Sequence, residues 1–185
     1  AIFANSESII ENCTFNDVIN VSSSTIISNS KFKGNKTYAI YVVDNTQANI
    51  YIQNNEFVSN DGSIYVLNNN LTVIMNNVFD NYSKSAITII NNPNVIVSGN
   101  EFINSDENAL DVLSSSVELE NNVIASGVIN INNSTLYNAV IKFLENETVK
   151  VSDGEIQINA TVSDDMGNII NGGTIFFDGI GEANI

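Results

Sequence analysis

The sequence predicts an all-β solenoid, a parallel β-helix of about six coils in which one unit of roughly 22 residues is stacked on itself. Three patterns lead there. A large apolar anchor returns at near-constant spacing, an asparagine turn is locked in phase with it, and a second strand recurs between the anchors.

The anchors are Phe15, Phe32, Phe57, Phe79, Phe102 and Ile124, at intervals of 17, 25, 22, 23 and 22 residues. Three positions before them stand Asn12, Asn29, Asn54, Asn76, Gly99 and Asn121. Asparagine and glycine enter the left-handed backbone region at the least cost, so a column that accepts only these two predicts a sharp turn at positive φ. Two positions before the anchor Asn returns as Asn55, Asn77, Asn100 and Asn122. Five positions before it the column reads Ile10, Ile27, Ile52, Ile74, Val97 and Leu119, an inward-facing strand position.

The second register comprises Val18–Val21, Ala39–Val42, Ser63–Val66, Ala86–Ile89, Ala109–Val112 and Val128–Ile131. Its second and fourth members are always apolar, the period-two signature of a strand whose third member faces outward. Each unit thus holds two clear strands with room for a shorter third. Leucine-rich repeats share the unit length but need a run of leucines that this chain lacks. In-register stacking instead places identical residues about 4.8 Å apart, so that Asn above Asn can share amide hydrogen bonds and Phe above Phe fills the centre.

Through its Asn-Asn-x-Phe turns and Ala-Ile-x-Val strands, the stretch from residue 1 to about 136 resembles the right-handed parallel β-helix repeat family. That resemblance implies the fold and leaves function open, because the family includes polysaccharide lyases, glycoside hydrolases, phage tailspikes and surface adhesins. The pattern fades after Asn133, which sets an expected boundary near Leu136 to Asn138. Beyond it Glu155–Val162 alternates like a half-buried strand, Asp164-Asp165-Met166-Gly167-Asn168 carries hairpin-turn chemistry, and Thr174–Phe177 begins another strand. The run from Ala160 to Phe177 is similar to the immunoglobulin-like modules of bacterial and archaeal surface proteins. Residues 137–185 are too few for the seven or so strands of such a sandwich, so a partial module is expected. The start, already inside a coil pattern ending at Phe3, reads as a fragment too, with no capping unit at either end.

Composition excludes some functions. Twenty-one acidic residues face six basic ones, all lysine, with no His, for a net charge of −15. Binding nucleic-acid phosphates needs clustered Lys or Arg, so no nucleic-acid partner is expected. No apolar run approaches the 18 or so residues that span a bilayer, so no membrane insertion is expected within these residues. The single Cys13 has no internal disulfide partner and falls in a turn column where other coils place Ser or Asn, which makes it a small structural residue. Nine Asn-x-Ser/Thr sequons, at Asn12, Asn20, Asn35, Asn70, Asn81, Asn132, Asn133, Asn146 and Asn159, favour a glycosylated surface protein.

No catalytic residue is assigned. The resemblance implies Arg or Lys beside an acidic Ca²⁺ site in lyases and clustered Asp near a His in hydrolases, and there is no Arg or His to fill either role. Glu118 and Glu120, two apart in a strand, would share an outer face about 7 Å apart, within the carboxylate spacing of a glycosidase; a solvated strand face explains them as well. Asp106, Glu107 and Asp111, like Asp164 and Asp165, are polar turns first and candidate Ca²⁺ ligands second, and no metal or cofactor is expected.

The outward columns hold the candidate binding residues. Six positions before the anchors stand Ile9, Ile26, Tyr51, Val73, Ile96 and Glu118. The apolar five form a stripe that is either a contact surface or β-branched stacking along a ladder. On the other strand Tyr41 and Tyr65 stack, with Thr88 next, a candidate platform for sugar rings or simple surface packing. The whole resembles the adhesin-like surface proteins of methanogenic archaea. That resemblance implies an extracellular, non-catalytic stalk and display domain at the cell surface or envelope, contacting glycans or surface proteins of other cells. A polysaccharide-degrading enzyme and a purely structural spacer are the alternatives.

Overall fold

A computed structural model describes residues 1–105 and 107–136 with their side chains, and beyond them the backbone of strands Val128–Ala139, Ile141–Phe143, Thr148–Ile158, Thr174–Phe177 and Gly181–Asn184. Of the immunoglobulin-like module expected over 137–185, the side chains and the turn with Asp164 and Asp165 lie outside the described residues. All regular structure among the described residues is strand, and no helix there is long and apolar enough to cross a membrane.

Each coil contributes one strand to each of three faces, and every solenoid pairing is parallel, in unbroken register up to Asn108–Leu113, where the pairing with Val128–Ala139 brings the first shift. The first face stacks Ile2–Ala4, Ile19–Val21, Tyr38–Val43, Gly62–Leu67, Ile87–Ile90 and Asn108–Leu113. The second stacks Ser8–Glu11, Thr25–Ser28, Asn49–Gln53, Leu71–Met75, Val95–Ser98 and Ser116–Glu120. The third, with strands of two or three residues, runs from Thr14–Phe15 to Ile141–Phe143 and carries the anchors. The 12-residue strand Val128–Ala139 belongs to two faces at once: Val128–Asn132 pairs with Asn108–Leu113, and Thr135–Tyr137 pairs with Ser116–Glu118. The boundary expected near Leu136 to Asn138 falls inside this strand, and Thr148–Ile158 pairs parallel to it.

The coil count needs correcting. Six anchors bound five intervals, so between Phe15 and Ile124 the solenoid makes about five turns and not six.

The inward columns are as dry as the alternation requires. Ile19, Ile40, Ile64, Ile87, Leu110 and Ile129 on the first face, and Ile27, Ile52, Ile74, Val97 and Leu119 on the second, are fully buried. Phe15, Phe32, Phe57, Phe79 and Phe102 form one continuous pile, with ring centroids 4.9–5.1 Å apart and ring planes within 20° of parallel. The strand spacing sets that distance, and the offset of the rings makes it attractive, about 0.5–1.5 kcal/mol per pair beyond burial.

The coils turn at three corners, each through a left-handed residue. Between the second and third faces these are Asn12, Asn29, Asn54, Asn76, Gly99 and Asn121, all at φ between 49° and 63°, the column expected from sequence. Gly99 has a second reason to lack a side chain, because the Asn76 amide of the preceding coil occupies the space a Cβ would take. The other corners use Asp44, Asn68, Asn91, Ser114 and Asn133, and then Gly34, Ser59, Asn81 and Asn104.

The residue after each left-handed position points inward and closes a hydrogen-bond ladder. The Oδ1 of Asn77 accepts from the backbone N–H and Nδ2 of Asn55, that of Asn100 from Asn77, and that of Asn122 from Asn100, all at 2.9–3.1 Å. Each Nδ2 also donates to an inward strand carbonyl of the coil before it, as Asn77 does to Ile52 and Asn100 to Ile74. The ladder continues backward through Ser30, which donates its N–H to Asn55, to Cys13, which donates its N–H to Ser30 Oγ. Cys13 Sγ lies 3.1 Å from the Glu11 carbonyl, as Ser30 Oγ lies 2.8 Å from that of Ser28, so the thiol stands in for a serine. A second ladder, absent from the sequence expectation, runs Asn45, Asn69, Asn92, Ser115, Ser134 at the first corner, and Asn35 and Asn60 form a third.

One polar group breaks the pattern of satisfaction. Thr72, fully buried on the second face, is the only described residue whose buried side-chain N or O lacks a hydrogen-bond partner.

Two stability predictions follow from these contacts. Replacing Asn77 by Ala removes the acceptor of the Asn55 N–H and of one of the two Asn55 Nδ2 protons, and the donor to the Ile52 carbonyl, and should cost about 3 kcal/mol in denaturant unfolding. Replacing Thr72 by Val keeps the shape and removes the unpaired hydroxyl, and should raise stability by about 1–2 kcal/mol, read as a higher melting temperature.

Candidate functional site

The outer surface of the first face carries the one aromatic cluster outside the core among the described residues. Its central column, in register from coil to coil, is Phe3, Asn20, Tyr41, Tyr65, Thr88, Asp111 and Asn130. Tyr41 and Tyr65 are half-buried neighbours with centroids 5.5 Å apart. A third ring, Tyr38, closes on both: it meets Tyr41 edge-on at 5.6 Å and lies 5.2 Å from Tyr65.

Tyr38 reaches that position by crossing coils. Its register partner is Gly62, and a Cβ at Gly62 would collide with the Tyr38 ring. The glycine is the slot through which the tyrosine leans along the solenoid axis, and its hydroxyl ends 2.6 Å from Thr88 Oγ1, two coils further on. Thr88 is consequently only 6% exposed, and its hydroxyl serves Tyr38 instead of offering a free surface. Burial raises the Tyr38 phenol above its usual range, the Thr88 hydrogen bond opposes that, and the Asp111 carboxylate adds to the rise. Asp111 in turn accepts from Asn130 Nδ2 at 2.8 Å, which places an amide–carboxylate pair on the same column beyond the tyrosines. Sequence reading named Tyr41, Tyr65 and Thr88 but not Tyr38; the pairing of a glycine with a tyrosine one unit earlier was the available signal.

The other candidates stay apart from this cluster. In the second-face stripe Ile9 is 69% exposed, Ile26, Tyr51 and Ile96 are half-buried, and Val73 is only 7% exposed although it faces outward. Neighbours on the ladder therefore cover the middle of the stripe, as β-branched stacking does. Glu118 and Glu120 follow on the same outer face. Of the acidic group, Asp111 belongs to the tyrosine column, Glu107 is exposed with its N–H donated to Ser105 Oγ, and Asp106 lies outside the described residues. Among the described residues no three Asp, Glu, Cys or His side chains converge on a point that could hold a metal.

The grooves follow the corners. The larger, about 870 Å³, runs along the Asn turns from Asn12 to Asn76 and borders Lys31 and Glu56; another of about 540 Å³ lies at the first corner among Asn91, Pro93, Ser114 and Asn133. The smaller is lined mainly by turn amides and hydroxyls, whereas the larger adds Cys13, Asp80, Val78 and Ile103 to its asparagines.

With the parallel three-faced solenoid in view, comparison with known families is decisive for the fold. The family model described as the right handed beta helix region matches residues 2–175. The chain belongs to the right-handed β-helix family. Its members include enzymes and non-enzymes, so β-helix membership fixes architecture and not chemistry. A search among curated proteins gave no match. Outside its core this β-helix carries the Tyr38, Tyr41, Tyr65 cluster, held on in-register ladder positions.

The raised Tyr38 pKa has a direction that can be measured. A phenol whose folded pKa lies above its unfolded value of about 10 contributes stability that is fully present below pH 10 and is lost as pH climbs through the folded pKa. Unfolding measured between pH 9 and 11.5, a range set around the ordinary tyrosine value of about 10, should show stability falling with pH, and Tyr38→Phe should flatten part of that slope.

Proposed function

We propose that this chain is a non-catalytic display and contact module of a cell-surface protein, and that its first face holds neutral glycans by stacking sugar rings on Tyr38, Tyr41 and Tyr65. The tyrosine cluster carries the reading. Three rings are packed within 5.2–5.6 Å of one another, half-buried, and fixed by in-register strands, so little side-chain entropy is lost when a ligand lands on them. Aromatic surface with a polar pair alongside, here Asp111 and Asn130, is the combination that sugar recognition uses: apolar ring faces against aromatic carbon, hydroxyls against amide and carboxylate. A net charge of −15 disfavours acidic polysaccharides and phosphate-rich partners.

The chain has no His for the hydrolase arrangement and no Arg for the lyase one, and among the described residues Lys31 and Lys84 are ion-paired with Glu56 and Asp61 and no acidic cluster converges that could complete a lysine-based lyase site. Binding without turnover is therefore the reading the residues support best, and the sequons at the exposed Asn12, Asn70, Asn81 and Asn133 accord with an extracellular or envelope location.

An array of neutral glycans and cell-wall polymers, probed with the wild-type chain and the Tyr41→Ala/Tyr65→Ala variant, tests this. Binding that drops at least tenfold in the variant, with no reducing ends or unsaturated products released, is the expected outcome. Product release would overturn the non-catalytic reading, and absence of any glycan binding would overturn the tyrosine face as a sugar site.

A further inference from the structure

Thr72 poses a question that the fold does not answer. It stands in an inward column between Ile50 and Val95, its register partners in the coils on either side. There it is fully buried with its hydroxyl unpaired. Thr25, in the same column, donates its hydroxyl to the Ser23 carbonyl at 2.9 Å and so has a folded-state reason to be polar. Thr72 has none, and a valine would pack as its neighbour Val95 does.

The hydroxyl does have a use before the coil closes, because it completes the sequon Asn70-Leu71-Thr72. Asn70 is exposed, and its side-chain amide makes no hydrogen bond among the described residues. A cleft of about 500 Å³ opens beside it among Asp44, Thr46, Asn68, Asn91 and Pro93. We infer that Asn70 is a site of N-glycosylation, and that Thr72 is threonine because the transfer requires its hydroxyl.

In that step the Asn70 amide nitrogen displaces the phosphate leaving group from C1 of a lipid-linked glycan. The N–C1 bond forms, the C1–O bond breaks with its electron pair going to the phosphate oxygen, and the amide loses one proton to a base. Because folding buries Thr72, transfer precedes closure of this coil, and the finished protein is not a substrate.

The other sequons among the described residues lack this signature: Thr14 and Thr135, which complete those at Asn12 and Asn133, are exposed and so free to meet water. Asn35 is buried with its amide in the third ladder. Ser22, Ser83 and Ser134 spend their hydroxyls on Asn5, Asp61 and the Asn132 carbonyl, so folding alone accounts for them. The inference is independent of what the tyrosine face binds.

Peptide mapping by mass spectrometry, on protein purified from the cells that make it, decides the matter. Asn70 should carry a glycan in most molecules, Thr72→Val made in the same cells should carry none there, and Thr72→Ser should retain it at lower occupancy. An unmodified Asn70 in the wild-type protein, or a glycan that persists in Thr72→Val, would overturn the assignment. Isolated transferase supplied with lipid-linked glycan should modify the unfolded chain and leave the folded one untouched; equal modification of both would contradict the proposed order.

Discussion

The distance between neighbouring strands governs this molecule. Parallel strands in register must lie about 4.8 Å apart, and once each coil is one repeat of the sequence every side chain meets its own counterpart at that distance. Residue types that gain from self-contact are selected column by column. Phenylalanine gains by offset stacking, isoleucine by filling the pleat, and asparagine by being donor and acceptor at once. Types that lose, above all like charges, are kept to positions where the column is broken, as where Lys31 is followed by Glu56 and then Val78.

The corners obey the same constraint with a stricter condition. A turn of a few residues between faces leaves backbone groups pointing into the core, where an unpaired one is costly. The left-handed residue bends the chain, and the next residue turns its amide inward to receive the N–H of the preceding coil. Serine does this less fully than asparagine because it has one oxygen and no amide nitrogen. The first-corner ladder accordingly passes from Asn92 to Ser115 and Ser134 while losing the bond back to the strand carbonyl that Asn45, Asn69 and Asn92 make.

What could be read from sequence follows from this logic. The Asn and Gly column, the anchors and the alternating strands were legible because each is a choice among very few residue types, forced by φ or by burial at one position. The first-corner ladder escaped notice because its left-handed column is mixed, Asp44, Asn68, Asn91, Ser114 and Asn133, and its inward column changes from Asn to Ser. Tyr38 escaped because its place depends on a residue of the next coil, Gly62, and on Thr88 in the coil after that. A column reading sees what is repeated; the tyrosine cluster is what is not. The turn count erred by treating markers as intervals.

The asparagine ladders also give the rod an inherent direction. Every ladder Oδ1 accepts from the coil before it and none from the coil after. A plane passed between two ladder coils therefore exposes unlike groups on its two cut surfaces: ladder N–H and Nδ2 donors beside strand carbonyls on one, and Oδ1 acceptors beside back-pointing Nδ2 protons on the other. Two such surfaces match group for group when stacked nose to tail, as successive coils are. The structure behaves as a vector, and any register in which coils meet is read for polarity before it is read for shape.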